Sequence, residues 1–295
     1  MPLPIHQRHS GTLATLRVHG ILFDSLDILL WEHLFMGVEI NQEQSFVACS
    51  EYGQVSWMGW TSCHFRDEVA IFRFRHSEDG SGQMDWHSLL DADEIEKGWR
   101  YHRRDDRLRS LYTRSLLRIL IGKYTDKDPL SVRLARGKGN KPELKGDSGL
   151  HINATHSGSW ILLAIGRRDV GIDVEEVKPD LALTDMIPTV FSDQEQQYVE
   201  FNGETMVRFY ELWTRKEALV KAFGSGIDEN FPHVPALNGY HTLETNKFAT
   251  HGEWTVNSFH VARGYQAAVA YRGNIRRIHF YTLDHGIFSL HKNLR

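Results

Sequence analysis

The alternation of apolar and polar positions changes character along the 295-residue chain. Residues 1–66 carry Trp31, Trp57 and Trp60 but show no clean period, and they read as an extension whose role the sequence does not reveal. From residue 68 the texture changes. The run VAIFRF at 69–74 is β-branched and aromatic, as a strand is, and a Gly/Ser-rich stretch at 77–82 breaks it. Between 91 and 124, Trp99, Leu108, Leu111, Leu116, Leu117, Leu120 and Ile121 recur at helical spacing with no proline, which predicts one long helix or two in succession. Strands are predicted over 131–136, 150–155, 160–165 and 170–177. Ser192 with Glu195 has the spacing of a capping box, and 206–223 has the pattern of an amphipathic helix closed by Gly224. Strand patterns follow at 254–262, 266–271 and 278–283.

Strand, long helix, strands, then strand, helices, strands: this order predicts an α+β fold of two halves of similar plan. The expected division is an N-terminal extension over 1–66, one subdomain over 67–166 and a second over 167–295.

Composition narrows the class. With 41% hydrophobic and 24% charged residues the chain can bury a sizeable core. A net charge of −4 gives no general reason to expect nucleic-acid binding. Two cysteines, Cys49 and Cys63, provide neither a disulfide framework nor a four-cysteine zinc site, so a reducing, cytoplasmic setting is expected. The most apolar early stretch, 20–38, is interrupted by Asp24, Asp27 and Glu32, and no membrane span is predicted. The seventeen histidines are scattered, without the paired spacing of a metal helix.

Asp173 and Glu175 stand two apart on a predicted strand, so both project from one face while Ile172 and Val174 face the other way. Alone they are an ordinary polar strand face. Glu217 and Lys221 stand at i and i+4 on a predicted helix, where the ordinary reading is a surface ion pair. That helix carries Leu212, Trp213, Leu219, Val220 and Phe223 around much of its circumference, however, and a Glu/Lys pair on a largely buried helix needs a better partner than water. Three carboxylates meeting at one point repel one another unless a cation joins them. A hard ion such as Mg²⁺, which takes one or two protein carboxylates together with phosphate oxygens, suits the set.

Anion-binding material lies elsewhere. Between Lys97 and Arg118, eight basic residues face two acidic ones, a local balance of +6. The loop RGKGNKP at 136–142 sets lysines among glycines, without Walker or dinucleotide spacing. The segment NATHSG at 153–158 ends a predicted strand with small polar groups and a histidine.

Taken in order, RYHRRDDRLRS (100–110), GNKP (139–142), INATHSG (152–158), GIDVE (171–175) and WTRKEALVK (213–221) resemble the successive motifs of the Sfp-like 4′-phosphopantetheinyl transferases, over about residues 68–283. The last two motifs are the specific ones. The resemblance implies a pseudo-twofold fold with coenzyme A in the cleft between similar α/β subdomains, and transfer of its phosphopantetheine arm to a serine of an acyl or peptidyl carrier protein, with release of adenosine 3′,5′-bisphosphate. It implies Mg²⁺ on Asp173, Glu175 and Glu217, and Lys221 on the transferred phosphate. Lys141, Pro142, Thr155, His156, Lys97, Arg109 and Ser110 would bind the nucleotide. Thr155 stands where the family commonly has Ser, and the extra residue in Gly-Asn-Lys-Pro leaves Lys138 as an alternative to Lys141. The base is Glu217, a water on the metal or, ranked below them, Glu195. A metal-dependent pyrophosphate hydrolase acting on coenzyme A or nucleotides is the alternative activity. The pseudo-dimeric plan implies a monomer, and the carrier protein that is modified stays open.

Overall fold

A strand that is apolar on both alternations must be covered on both faces, and β5 (Val69–Arg75) is such a strand. In the computed structural model, Val69 and Ile71 join one buried cluster while Ala70, Phe72 and Phe74 join another. The structure describes residues 16–18, 21–23, 45–52, 54–76, 85–136, 142–146, 148–244, 247, 248, 250–275 and 277–294. The predicted break at 77–82, Lys138 and Lys141 lie outside these, as does most of the apolar stretch 20–38.

The chain divides into two compact units, Met1–Gln42 and Glu43–Arg295. In the first, β1 (Leu16–Val18) and β2 (Ile21–Phe23) pair antiparallel.

The second unit holds two five-stranded sheets. One runs β4 (Met58–Gly59), β14 (His279–Leu283), β5, β9 (Trp160–Gly166), β8 (His151–Ser157). The other runs β10 (Val170–Glu176), β13 (Tyr265–Arg272), β12 (Gly252–Ala262), β3 (Ser45–Glu51), β11 (Gly239–Leu243). A short pair, β6 (Leu134–Arg136) with β7 (Pro142–Leu144), stands apart. Five α-helices are present among the described residues: α1 (Ala92–Trp99), α2 (Arg104–Thr125), α3 (Ile187–Val190), α4 (Asp193–Glu200) and α5 (Thr205–Phe223).

The sheets meet face to face. Ile71, Leu162 and Ala164 from one interlock with Ile172, Val174, Phe259 and Val269 from the other. The outer face of the first sheet packs on Leu116, Leu117, Leu120 and Ile121 of α2. The outer face of the second packs on Ala218, Leu219 and Ala222 of α5. The result is helix, sheet, sheet, helix, an α+β fold as the sequence predicts.

The ends of this unit are exchanged between the halves. β3, before the first half in sequence, adds parallel to β12 in the second sheet, and β14 returns parallel to β5 in the first. Residues 45–66, read from sequence as part of an extension, therefore supply strands to the fold.

The predicted helical stretch is two helices. Asp91 caps α1 in a capping box with Glu94, and the chain turns extended at Arg103 before α2 begins. The predicted strand at 131–136 is shorter, because Pro129–Ser131 form a 3₁₀ turn fixed by proline and by Asp128, which accepts from Leu130 N. Cys49 and Cys63 are free and buried. Among the described residues no helix is long and apolar enough to cross a membrane.

Candidate functional site

The edge strand of each sheet, β8 and β10, lie side by side at the joint, and short polar side chains of β8 hydrogen-bond across it. Asn153 Oδ1 accepts from Ile172 N at 2.8 Å, Thr155 Oγ1 donates to Asp173 Oδ1 at 3.0 Å, and Ser157 Oγ donates to Glu175 Oε2 at 2.9 Å. Ser157 Oγ also accepts from Glu176 N at 3.0 Å. Residues 153, 155 and 157 alternate on the strand, so one face of β8 is committed to this seam.

Helix α5 crosses β10 at close range because Gly171 has no side chain. A Cβ there would strike Ala218 O and Ala222 N. The approach brings Glu217 and Lys221 onto the strand face that carries Asp173 and Glu175. Lys221 Nζ lies 2.5 Å from Asp173 Oδ1 and 3.7 Å from Glu217 Oε2. All four side chains line one cleft of about 770 Å³, the size of a small-molecule site. Thr155, His156, Ser110 and Pro142 line it too, with Tyr101, Thr113, Arg114 and the loop from Gly224 to Ile227.

The electrostatics are those of crowded carboxylates. Burial, then the Asp173 charge, push the Glu175 carboxyl up to about 7, against the Ser157 hydrogen bond that pulls it down. Burial raises Glu217 as well, with Lys221 opposing. For Lys221, burial works against the ammonium, but Asp173 and Glu217 outweigh it and hold its pKa above the ordinary lysine value. His156 is lowered by loss of solvent in the cleft and by the Arg109 charge, so it stays neutral near pH 7.

As they stand, no three His, Cys, Asp or Glu side chains among the described residues are grouped as a cage for an ion. The site nevertheless suits a divalent cation. Asp173 is 2% exposed and its Oδ2 is buried without a hydrogen-bond partner, a costly state for a carboxylate oxygen. Glu175 and Glu217 are both held above ordinary carboxylates beside Asp173, the strain that a cation joining the three would relieve. All the donors are hard oxygens.

The remaining residues named from sequence are more dispersed. Lys97 does not line the cleft; it sits on α1, 3.7 Å from Asp93 Oδ2. Arg109 also stands behind the wall, donating to Gly158 O at 2.6 Å and pairing with Asp106, so it braces the turn after His156. Much of the basic run is spent internally: Arg114 and Arg118 both bind the buried Glu94, and Arg107 lies over the Trp99 ring. Glu195, the low-ranked base, is 3% exposed and tied to Lys216 Nζ at 2.8 Å and to Ala236 N at 3.0 Å. Sequence reasoning did not pick out Thr113, Tyr101 or Ser225, and reached Arg114 only as one of the basic run; Gly224 and Gly226, both at positive φ, mark Ser225 as part of a special loop.

Known protein families match this chain over two successive stretches. The sequence profile of the 4′-phosphopantetheinyl transferase superfamily matches residues 169–270, and that of the 4′-phosphopantetheinyl transferase N-terminal domain matches 82–167. A 4′-phosphopantetheinyl transferase of Bacillus subtilis is 30% identical over 143 residues, covering 48% of this chain and 62% of that protein. The chain thus spans less than two thirds of that relative's length. The 4′-phosphopantetheinyl transferase HetI of Nostoc sp. is 30% identical over 167 residues, covering 55% of this chain and 70% of that protein. The 4′-phosphopantetheinyl transferase pptA of Paxillus involutus is 32% identical over 190 residues, with 55% and 70% covered. Sfp of Bacillus subtilis is 27% identical, with 82% of its length covered. The two profiles divide between β9 of the first sheet and β10 of the second, and the chain belongs to the Sfp-like 4′-phosphopantetheinyl transferases.

Proposed function

We propose that this protein transfers the 4′-phosphopantetheine arm of coenzyme A to a serine hydroxyl of an acyl or peptidyl carrier protein, releasing adenosine 3′,5′-bisphosphate. The observation that supports it best is the cleft that joins Asp173 and Glu175 on β10 to Glu217 and Lys221 on α5, beside His156 and Thr155 of β8. Mg²⁺ is the cation proposed for Asp173, Glu175 and Glu217; when bound, it supplies positive charge to the pyrophosphate oxygens.

The protein's own residues have separable tasks. Lys221, 28% exposed at its side chain, reaches from the carboxylates toward the transferred phosphate and neutralises its oxygens. His156, uncharged at neutral pH, donates an N–H to a nucleotide phosphate, with Ser110 and Pro142 on the same wall, and Lys141 is proposed as a further phosphate contact. Thr155 spends its hydroxyl proton on Asp173 and shapes the wall. Lys97 and Arg109 act at one remove, Arg109 by holding the His156 turn. The carrier serine oxygen forms a bond to the β-phosphorus as the bond to the bridging pyrophosphate oxygen breaks. Its proton passes to Glu217, whose carboxyl is raised and therefore suited to accept it.

We further propose that residues 67–166 and 167–295 act as the two subdomains around this cleft. The two sheets of one chain supply both of its walls, which supports a monomer. Two free cysteines fit a cytoplasmic protein.

Incubation with coenzyme A, Mg²⁺ and an apo carrier protein, followed by intact-mass measurement, tests the reading. The carrier should gain the mass of one phosphopantetheine arm. No gain on the carrier, or product formed from coenzyme A without a carrier, overturns it in favour of a hydrolase.

A further inference from the structure

Ser157 is the residue of the seam whose hydroxyl is committed twice. Its oxygen accepts Glu176 N–H at 3.0 Å, and the hydroxyl hydrogen is directed at Glu175 Oε2 at 2.9 Å. A peptide N–H can only donate, so the serine oxygen must receive there, and its one hydrogen is left to point at the carboxylate. Both bonds bridge from the edge of one sheet to the edge of the other, since Ser157 ends β8 and Glu175 and Glu176 end β10. Glu176 is itself fixed by Tyr265 OH, which donates to its Oε1 at 2.8 Å. The backbone of Glu176 is therefore an anchored point, and the serine measures the position of Glu175 Oε2 from it.

We propose that Ser157 is a positioning residue that presents Glu175 to the metal, holding Oε2 back so that Oε1 is the oxygen offered to the cleft. The inference rests on the proposed metal site at Asp173, Glu175 and Glu217 and goes beyond it, because it assigns a task to a side chain that does not line the cleft. Partners standing behind a metal ligand commonly change metal affinity by about 10–100-fold when removed. Without the hydroxyl, Glu175 loses the partner that fixes its rotamer.

The test compares wild type with Ser157→Ala, Ser157→Thr, Glu175→Gln and Asp173→Asn. Mn²⁺ binding is followed by electron paramagnetic resonance at fixed coenzyme A, and the Mg²⁺ concentration for half-maximal transfer is measured alongside. Ser157→Ala should weaken Mn²⁺ binding by about 10-fold or more and raise the Mg²⁺ requirement to match. Ser157→Thr, which keeps the hydroxyl, should restore both. In a Glu175→Gln background, removing the serine hydroxyl should have no further effect on Mn²⁺ binding, whereas a merely structural role would add its cost there too. Wild-type-like Mn²⁺ binding in Ser157→Ala, with binding lost in Glu175→Gln, overturns the positioning role and leaves the metal site standing. Mn²⁺ binding that ignores both Asp173 and Glu175 replacements overturns the metal site, and this inference with it.

Discussion

Gly171 and Ala218 are in direct backbone approach: a Cβ on the glycine would collide with the Ala218 carbonyl oxygen and with the amide of Ala222. Both atoms belong to the helix backbone, which cannot swing aside as a long side chain can. Gly171→Ala must therefore lift α5 from β10, separating Glu217 and Lys221 from Asp173. The expected result is a stability loss of about 2–4 kcal/mol in urea denaturation, as overpacking against backbone is costlier than against side chains. Residual folded protein should show transfer activity reduced well beyond the change in folded fraction. A stable, active Gly171→Ala protein would show that the helix does not need this contact.

Glu175 carries a cost that pH exposes. Its carboxyl titrates near 4.5 when solvated and at about 7 in the folded protein. Between those values the folded chain binds more protons than the unfolded one, so the metal-free protein loses stability as pH rises through that window. Glu175→Gln removes the loss. In chelator, the variant should exceed wild type by roughly 1–3 kcal/mol above pH 7, with the gap closing below about pH 4.5. Denaturation curves at several pH values read this directly, and a gap independent of pH would contradict it.

Lys216, between Trp213 and Glu217 in the same motif, has a structural task. Its ammonium is 0% exposed and donates to Val234 O at 2.6 Å and Pro232 O at 3.0 Å while pairing with Glu195 at 2.8 Å. Lys216→Met strands those carbonyls and leaves Glu195 charged in the interior. A cost of about 3–5 kcal/mol is expected. Adding Glu195→Leu should recover part of it, because the unpaired charge then disappears. Absence of any recovery would show that the carbonyl contacts, rather than the ion pair, carry the cost.

The two thiols should be inert in the native protein. Burial pushes Cys49 up to about 12, and burial with the nearby Asp67 pushes Cys63 up to about 11. At pH 8 the Cys49 thiolate is then roughly one part in ten thousand, and the thiolate is the reactive form. Ellman's reagent should label neither cysteine in the folded protein and both after denaturation. Rapid labelling of native Cys63 would reveal an opening of the sheet edge near Tyr281, whose hydroxyl shares Asp67 with it.

What could be read from sequence and what could not divides along physical lines. The strand and helix of the site announced themselves because Ile172 and Val174 alternate with Asp173 and Glu175, and because α5 is apolar around most of its surface. Periodicity is a local signal, and these elements are locally regular. β3 and β11 went unread because they are paired across nearly two hundred residues of chain, and Val47 and Leu243 acquire their meaning only from the α5 side of the sheet they join. The basic run misled in a different way. Arg114 and Arg118 look like a phosphate surface on charge alone, yet Glu94, far enough back to belong to another helix, takes both. Ser157 was visible in its motif but silent, since which partner takes its hydroxyl proton depends on β10 lying alongside.

Asp173 offers the sharpest separation of stability from function. Its Oδ1 receives both the Thr155 hydroxyl and the Lys221 ammonium, while Oδ2 is buried with no hydrogen-bond partner. Asp173→Asn keeps the shape and an oxygen that accepts from Thr155 and Lys221, but it removes a charge. Folding has little to lose, because Lys221 keeps Glu217 within 3.7 Å. Metal binding and the transfer step have much to lose, since a neutral amide is a poor ligand for a hard dication. The expected outcome is a melting temperature within a few degrees of wild type together with a transfer rate reduced by about a hundred- to a thousandfold, a typical loss for removal of a group that stabilises transition-state charge. Comparable Mn²⁺ affinity and transfer rate in Asp173→Asn and wild type would remove Asp173 from the metal and move the centre of the site to Glu217.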